Sequence, residues 1–462
     1  MNNFKQKKIS SVQLEEGQKI PLTIKRLGIN GEGIGYFKHK IVFVTGALPN
    51  EVVVAKVTKV LPKYATAEIH RIRRTSSDRV SPRDVYQVGG IELEHLAYPQ
   101  QLNFKQDLVK QALEKYRPQG FKKYQILSTV GMKNPYFYRN KAQFQVREKG
   151  GKIIAGLYRR GTHEVVDLPD FSTQGLLTMK VVRQVCHLIE KLGIPAYNEK
   201  NNSGIIKTLI VRESFSTRQV QLTIVTNSAK LIHQTALIQE IHQTLPEVVS
   251  IFQNVNPGRQ SLVWGEKTKI LFGQEKITEQ LGTKKYNLSV RAFFQLNPQQ
   301  TAKMYQIVAD ALALKPTDHL LDAYCGVGTI GIFLADQVNS VRGMDTIPEA
   351  INDAKENASI NNCSNAEYVC GTAEDVLPLW LHQGFHPDAA IVDPPRVGLD
   401  QRLLEALLQS KPQRLVYISC NPSTLARDLV KLARIYQINY LLPVDMFPQT
   451  PRAEVVVKLT LK

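Results

Sequence analysis

Apolar strand patterns alternate with helical patterns along the last third of the chain, and this alternation constrains the fold more than any other feature. It predicts a doubly wound, mostly parallel sheet with helices on both faces. In such a sheet ligands bind at the carboxyl ends of the strands, so the residues that end each strand are candidate site residues. The strand patterns, within residues 291–462, are HLLDAYC, SVRGMD, AEYVCGT, DAAIVDPP and RLVYISC.

A glycine-rich turn follows the first of these strands, in LLDAYCGVGTIGIFLA. Asp322 lies in the strand, and Gly326 and Gly328 form the turn into the next helix. Asp345 ends the following strand 19 residues after Gly326. Such glycines let the backbone approach a ligand, and an acid at this distance binds ribose hydroxyls in dinucleotide folds. Because Gly331 completes the spacing G-x-G-x-x-G, NAD has to be weighed as a cofactor as well.

A second motif, VDPPR at 392–396, bears on the choice of cofactor. Asp393 ends a later strand, and the two prolines after it make a rigid turn that is poor in hydrogen-bond donors. Together with Asp322, this motif resembles the S-adenosylmethionine-dependent methyltransferase fold much more than a dehydrogenase. Amino-group methyltransferases of that fold follow a similar motif with an aromatic residue. Arg396 stands there in this chain, which disfavours an exocyclic amine as the substrate.

Cys420 ends the strand RLVYISC and precedes Asn421, Pro422 and a helical pattern. A cysteine is needed to methylate C5 of a pyrimidine, because a thiolate that adds to C6 makes C5 nucleophilic. A base must then remove the C5 proton before the thiol can leave. Glu454, at the head of the last strand, is the candidate base. The alternatives are a small buried apolar role for Cys420 and a solvated edge-strand charge for Glu454.

Five ordered motifs resemble the RNA 5-methyluridine methyltransferases of the TrmA/RlmD type: AFFQLN, LDAYCGVGTIG, IVDPPRVGL, YISCNPSTLARDL and DMFPQTPRAEVV. The resemblance covers nearly the whole chain and implies S-adenosylmethionine as the methyl donor. It implies Cys420 as the nucleophile and Glu454 as the proton acceptor. The expected cofactor contacts, with Gly326 added from the glycine-rich turn, are Gln295, Tyr324, Gly326, Thr329, Asp345, Thr372 and Asp393.

The segment YFYRNKAQFQVR, at 136–147, combines aromatic and basic residues. Aromatic rings can stack on bases while arginine and lysine meet phosphates, although an amphipathic strand entry is the alternative. YRNKAQF also resembles a motif in the central domain of the same family. The expected RNA contacts, the last of them in AFFQLN, are Arg139, Asn140, Lys141 and Phe294.

Three domains are predicted. Residues 1–75 show short strands punctuated by glycines, which predicts a small TRAM/OB-like β-barrel that binds RNA. Residues 76–290 predict a central α/β RNA-binding domain, and residues 291–462 the Rossmann-like methyltransferase domain. Residues 1–75 contain 14 lysines and arginines against 5 acidic residues, a net +9 out of +18 for the chain. This excess favours a polyanionic partner, with solubility as the alternative.

The chain departs from the family pattern at three places. Many members hold an iron–sulfur cluster with four cysteines, and the matching positions here are Asp84, Val88, Ile91 and Phe171. Thiolates hold such clusters, so we expect none, and cysteine spacing indicates no other metal site. Asp345 stands where the family usually has glutamate, so a shorter carboxylate must reach the ribose hydroxyls. Arg452 stands where the family often has histidine.

The sequence also allows three alternatives to this function and substrate. RNA 5-methylcytidine methyltransferases resemble a pattern with a second catalytic cysteine after a proline, and none of the five cysteines here follows a proline. A non-catalytic RNA-binding or ribosome-assembly factor could keep the fold, but the presence of Cys420 and Glu454 argues against it. DNA is the third alternative, since charge alone does not separate it from RNA.

Ribosomal RNA is favoured over transfer RNA as the substrate. The TRAM-like segment resembles the ribosomal members, whereas transfer-RNA members of this type generally lack it, and cluster-free relatives with this layout act on 23S RNA. We therefore expect a 23S ribosomal RNA methyltransferase. Without a signal peptide or a membrane-length apolar run, we expect a cytoplasmic protein with no membrane association. No obligate protein partner is indicated, and we expect a monomer.

Overall fold

The computed structural model describes residues 14–259 and 262–462. The chain divides into two compact units, and each is described by itself. The first comprises the described part of Met1–Arg83 with Glu92–Phe104 and Gln449–Pro451. The second comprises Asp84–Ile91, Lys105–Pro448 and Arg452–Lys462.

The first unit is built on a six-stranded sheet in the order β1-β5-β6-β4-β3-β2. β4 and β6 run parallel, and the other neighbouring strands run antiparallel. In β1 buried residues alternate with exposed ones, as expected for a strand with one face on a core. The strands are β1 (Lys19–Thr23), β2 (Arg26–Leu27), β3 (Gly33–Phe37), β4 (Lys40–Thr45), β5 (Val52–Val60) and β6 (Tyr64–Arg74).

A seven-stranded sheet forms the central part of the second unit, in the order β10-β9-β8-β11-β12-β13-β14. Helices α2 and α3 cover it and share its apolar core. α1 (Tyr98–Tyr116), a 3-10 turn at Phe121–Lys123 and β7 (Gln125–Ile126) precede it along the chain. Its elements are β8 (Lys141–Lys149), β9 (Lys152–Tyr158), β10 (Val165–Asp167), α2 (Leu176–Lys191), β11 (Ile206–Glu213), β12 (Val220–Thr226), α3 (Gln234–Thr244), β13 (Val248–Val255) and β14 (Lys267–Gly273).

An eight-stranded sheet follows a hairpin of β15 (Ile277–Leu281) and β16 (Lys284–Leu288). Its elements are α4 (Pro298–Leu312), β17 (His319–Ala323), α5 (Thr329–Leu334), a 3-10 turn at Ala335–Gln337, β18 (Ser340–Asp345), α6 (Pro348–Ile360), β19 (Ala366–Cys370), α7 (Ala373–His382), β20 (Ala389–Val392), α8 (Gln401–Ser410), β21 (Arg414–Ser419), α9 (Pro422–Leu432), β22 (Tyr436–Val444) and β23 (Glu454–Leu461).

The strand order of this sheet is β19-β18-β17-β20-β21-β23-β22-β7. The first five strands run parallel, β23 runs antiparallel to both of its neighbours, and β7 pairs in parallel with β22. Successive side chains of β17 pack into different apolar clusters: Leu320 lies in one and Leu321 in the other. Helices therefore cover both faces, which confirms the predicted doubly wound α/β sheet.

Among the residues that the structure describes, no helix is long and apolar enough to cross a membrane.

Candidate active site

The carboxyl ends of five parallel strands meet along one edge of the eight-stranded sheet. The strand order reverses between β17 and β20, and ligands of such sheets bind in the crevice at this switch point. Ala323 pairs with Val392 across these two strands. The next residues along the chain, Tyr324 and Asp393, therefore lie on either side of the crevice. Tyr324 has a φ of 65°, a left-handed conformation that is uncommon for a non-glycine residue.

The register of the antiparallel pair β21 and β23 brings the two predicted catalytic residues together. Ser419 pairs with Val455, so Cys420 and Glu454 are the next opposed positions on the two strands. Both side chains are partly buried. The charge of Glu454 acts on the Cys420 thiol, and so does the charge of Asp393. Residues from three strand ends thus share one site.

A capped turn fixes the backbone at Cys420. The Asn421 side chain accepts a hydrogen bond from the Ser423 amide at 3.1 Å, and Pro422 opens α9. The Asn421 amide group also donates to the Arg396 carbonyl at 2.9 Å. The turn after Cys420 is therefore hydrogen-bonded to the Asp-Pro-Pro-Arg loop that follows β20.

Burial and mutual repulsion raise the pKa values of the acidic groups at this site. The pKa of the Cys420 thiol is raised to about 11, first by burial and then by the charges of Glu454 and Asp393, while Arg396 acts in the opposite direction. Burial also raises the pKa of Glu454 to about 8, with a further increase from Asp393, and it raises the pKa of Asp393 to about 7. A carboxyl with a pKa near neutrality is well matched to proton transfer.

Lys105, on α1, is fully buried next to this site. It forms an ion pair with Asp445, whose side chain is also fully buried, and donates to the Phe447 carbonyl at 3.0 Å. Both partners lie between β22 and β23, on the loop that leads to Glu454. Burial lowers the pKa of Lys105, whereas Asp445 and Glu454 raise it. Its positive charge in turn lowers the pKa of Glu454. No motif in the sequence points to this lysine.

Asp345 and Asp322 organise the glycine-rich turn. Asp345 ends β18 and accepts hydrogen bonds from the amides of Gly326 and Ile347, both at 3.0 Å. Asp322 accepts from the Gly331 amide at 2.9 Å. A Cβ at Gly331 would lie 2.9 Å from the same Asp322 oxygen, so this glycine permits close packing of α5 on β17.

Two predicted cofactor contacts have hydrogen-bond partners within the protein. The Thr329 hydroxyl accepts from the Tyr305 hydroxyl at 3.0 Å. Thr372 follows β19, and its hydroxyl donates to Asp375 at 2.6 Å. Thr372 lies at the carboxyl edge of the sheet, whereas Thr329 begins α5. Both cofactor contacts stay predictions.

The four predicted RNA contacts differ in their access to solvent. Phe294 is 4% exposed and packs on Tyr286, and Asn140 is 3% exposed. Asn140 donates from its side chain to the Gln295 carbonyl at 3.3 Å. Burial leaves these two side chains no surface for RNA, so their predicted RNA contacts are not supported, and Asn140 instead positions the segment that carries Gln295.

Arg139 and Lys141 are partly exposed and are kept as candidate RNA contacts. The exposed aromatic of AFFQLN is Phe293, at 63%. The motif alone does not tell which of the two adjacent phenylalanines faces outward, so Phe293 could not be predicted from it.

At the positions matched to cluster ligands, Val88, Ile91 and Phe171 are buried in the central apolar core. Asp84 accepts a hydrogen bond from the Ser172 amide at 3.0 Å. Packing and this hydrogen bond hold the loop. Within residues 14–259 and 262–462, no group of three or more histidine, cysteine or acidic side chains could hold a metal ion.

Comparison with known proteins identifies the family. The family model described as tRNA (Uracil-5-)-methyltransferase matches residues 97–462, and the TRAM domain model matches residues 13–70. The chain belongs to this methyltransferase family. S-adenosylmethionine is accordingly the cofactor of this uracil-5 methyltransferase, and its eight-stranded sheet is the Rossmann-like methyltransferase fold.

Two bacterial relatives match this uracil-5 methyltransferase over nearly its full length. An uncharacterized RNA methyltransferase of Lactiplantibacillus plantarum is 58% identical, covering 96% of this chain and 93% of the relative. Another from Enterococcus faecalis is 51% identical, covering 97% and 99%.

A solved structure is similar as well. Pyrococcus abyssi tRNA (uracil-54, C5)-methyltransferase, in complex with S-adenosyl-L-homocysteine, has a TM-score of 0.78 and 29% identity. The match covers 96% of this chain and all of that one. The similarity therefore extends over nearly the whole chain.

Proposed function

We propose that this methyltransferase transfers a methyl group to C5 of uridine in RNA through a covalent bond between Cys420 and C6. The observation that carries the proposal is the position of Cys420 beside Glu454, with Asp393 at the same site. This chemistry requires a nucleophile that can reach C6 of the uridine and a base that can reach the proton on C5.

The proposed reaction has four steps. The Cys420 thiol gives up its proton to the neighbouring Asp393 carboxylate, and its sulfur bonds to C6. The electron pair released from the C5–C6 double bond makes C5 nucleophilic. C5 then takes the methyl group that bound S-adenosylmethionine would supply, with the methyl–sulfur bond breaking to leave a neutral thioether. Glu454, as a carboxylate, then removes the remaining proton from C5. The C5–C6 double bond re-forms as the Cys420 sulfur leaves.

The carboxylates at the switch point fit S-adenosylmethionine, which supplies an electrophilic methyl group on a positively charged sulfur. Asp322 is buried, and its Oδ1 has no hydrogen-bond partner among the described residues. Its pKa is raised to about 7 by burial, with further increases from Asp393 and Asp345. A cationic ligand would relieve this repulsion. We propose that Asp345 binds the ribose hydroxyls and that Gln295, Tyr324 and Asp393 complete the cofactor site.

Replacing Asp345 with asparagine is expected to weaken cofactor binding by about 10- to 100-fold, as hydrogen bonds to charged groups contribute about 1.5–3 kcal/mol. The substitution removes the negative charge and one hydrogen-bond acceptor. The Asp345 side chain also accepts hydrogen bonds from the amides of Gly326 and Ile347. Titration calorimetry with S-adenosylhomocysteine measures the change. Asp345→Glu keeps the charge and serves as the matched control. Equal affinities for wild type and Asp345→Asn would assign ribose binding to another residue.

For the RNA, we propose 23S ribosomal RNA, acted on in the cytoplasm by a monomer. The chain resembles cluster-free members of this layout, with no cysteine at positions 84, 88, 91 and 171. Transfer RNA is the second candidate, because the similar archaeal structure is a transfer-RNA enzyme. That match covers 96% of this chain, so the N-terminal β domain does not by itself separate the two substrates.

Methyl transfer from labelled S-adenosylmethionine to unmodified 23S ribosomal RNA and to unmodified transfer RNA tests this proposal. Nucleoside analysis is expected to find 5-methyluridine in the 23S sample. If only transfer RNA is labelled, transfer RNA replaces 23S ribosomal RNA as the proposed substrate. Recovery of 5-methylcytidine would contradict the assigned base, and no product in either RNA would favour a non-catalytic RNA-binding protein.

A further inference from the structure

Two basic side chains lie near one indole ring beside the central sheet. Trp264 belongs to the loop before β14 and is partly exposed. Lys141 Nζ lies 5.9 Å from the centroid of its ring, and the guanidinium carbon of Arg291 lies 5.6 Å from it. Three distant parts of the chain thus form a cluster of one aromatic and two basic residues.

Buried hydrogen bonds hold Trp264 in place. The fully buried side chain of Asn254 accepts from the Gly265 amide at 2.8 Å and donates to the Gly265 carbonyl at 3.1 Å. Asn256, also buried, donates to the carbonyls of Leu262 and Val263 at 2.6 and 2.9 Å. A Cβ at Gly265 would collide with the Val255 carbonyl oxygen, so the backbone after Trp264 is packed directly on β13. The loop therefore presents the indole in a defined position.

The cluster has an excess of positive charge. Among the described residues, neither Lys141 nor Arg291 forms a salt bridge. Lys141 pairs with Arg212 across β8 and β11, which adds another cation. Burial, and then the charge of Arg212, lowers the pKa of Lys141 to about 7. An anion placed here would favour the charged lysine, as the phosphate groups of RNA would.

We propose that Trp264, Lys141 and Arg291 form a binding site for a nucleotide that flanks the target uridine, whose base stacks on the indole and whose phosphate meets the two cations. The inference rests on the proposed RNA substrate. Single-stranded RNA is recognised by this combination of stacking and positive charge. The cluster adjoins the cofactor segment, because Asn140, next to Lys141, holds the Gln295 carbonyl and Arg291 lies four residues before Gln295.

Tryptophan fluorescence tests the site by binding alone. The chain has two tryptophans, Trp264 and the buried Trp380. In a Trp380→Phe variant of the full chain, a short uridine-containing single-stranded RNA is expected to quench the emission of Trp264, because a stacked base shields and quenches an indole. The matched variant Trp264→Phe keeps Trp380 as the only emitter and is expected to show no change. Saturable RNA binding without quenching of Trp264 would overturn the site.

Kinetics separate RNA contact from a purely structural role of Trp264. Trp264→Ala is expected to raise the KM for RNA about 10-fold with kcat changed less than about 2-fold, since stacking of one base contributes roughly 1–3 kcal/mol. Trp264→Phe, which keeps an aromatic face, should restore most of the affinity. Arg291→Met should reduce the slope of log Kd against log salt by about one. An unchanged KM and salt slope would contradict the site.

The two proposals fail in different ways. Quenching of Trp264 by RNA without any methyl transfer would support the flanking-nucleotide site and count against the proposed reaction. Methyl transfer to RNA without quenching of Trp264 would contradict the flanking-nucleotide site and support the proposed reaction. A raised KM in Trp264→Ala without quenching in Trp380→Phe would assign the residue to loop structure and overturn the proposed contact.

Discussion

Replacing Cys420 with alanine is expected to lower kcat by roughly 10⁴-fold or more, because removal of a catalytic nucleophile leaves only binding and positioning. The affinities for RNA and S-adenosylmethionine should stay nearly unchanged, since Asn421 and Pro422, which form the capped turn, are retained. Methyl transfer under single-turnover conditions measures the loss. Calorimetry and RNA titration measure the two affinities.

The matched control is Cys370→Ala. Cys370 also ends a strand of the same sheet, but it is exposed, and its sulfur contacts only the Thr346 carbonyl at 3.7 Å among the contacts described. This variant should keep wild-type activity. Full activity in Cys420→Ala would remove the covalent mechanism, and equal losses in both variants would point to damage of the sheet edge instead.

The pKa of Cys420 adds a pH dependence to the first chemical step. Because the pKa of the thiol is raised to about 11, the thiolate fraction in the free protein is small at neutral pH and grows with every rise in pH. The rate of bond formation to C6 should therefore increase from pH 6 to pH 9. A flat profile for this step would mean that RNA or cofactor binding has already removed the proton.

The alternation of strands and helices was enough to predict the catalytic sheet, because each element has a strong local pattern. It could not predict β7, whose two residues, Gln125 and Ile126, show no periodicity and join the sheet from far upstream. It also could not predict the register between β21 and β23. That register, which places Cys420 beside Glu454, depends on pairing between strands more than 30 residues apart.

Individual side chains were harder to place than strands. Lys105 lies in a polar helical stretch and would be expected in solvent, yet it is buried because Asp445, 340 residues away, neutralises it. Asn140 and Phe294 have residue types common in RNA contacts, but both are buried. The contacts that decide such cases are formed only in the folded chain.

Replacing Glu454 with glutamine is expected to trap a covalent complex between the protein and methylated RNA. Cys420 and the cofactor site remain, so the sulfur can still add to C6 and C5 can still take the methyl group. An amide cannot accept the C5 proton, so elimination stops and the Cys420–C6 bond persists. Release of product should fall by at least about 100-fold, within the range that general base catalysis contributes.

A denaturing gel with labelled RNA detects the complex as a band of lower mobility, and digestion followed by mass spectrometry locates the bond at Cys420. Glu367→Gln, an exposed acid on β19, is the matched control and should show no such band. The double variant Cys420→Ala with Glu454→Gln should also show none. If Glu454→Gln accumulates no complex and turns over normally, the base is another group, and Asp393 is the next candidate.

The pKa of Glu454 predicts how breakdown of the complex depends on pH in the wild type. Burial and Asp393 raise this pKa to about 8, while Lys105 and Arg396 oppose the shift. A base acts as its carboxylate, so breakdown should accelerate as pH rises toward 8 and level off above it. The small residual rate of Glu454→Gln should lack this rise.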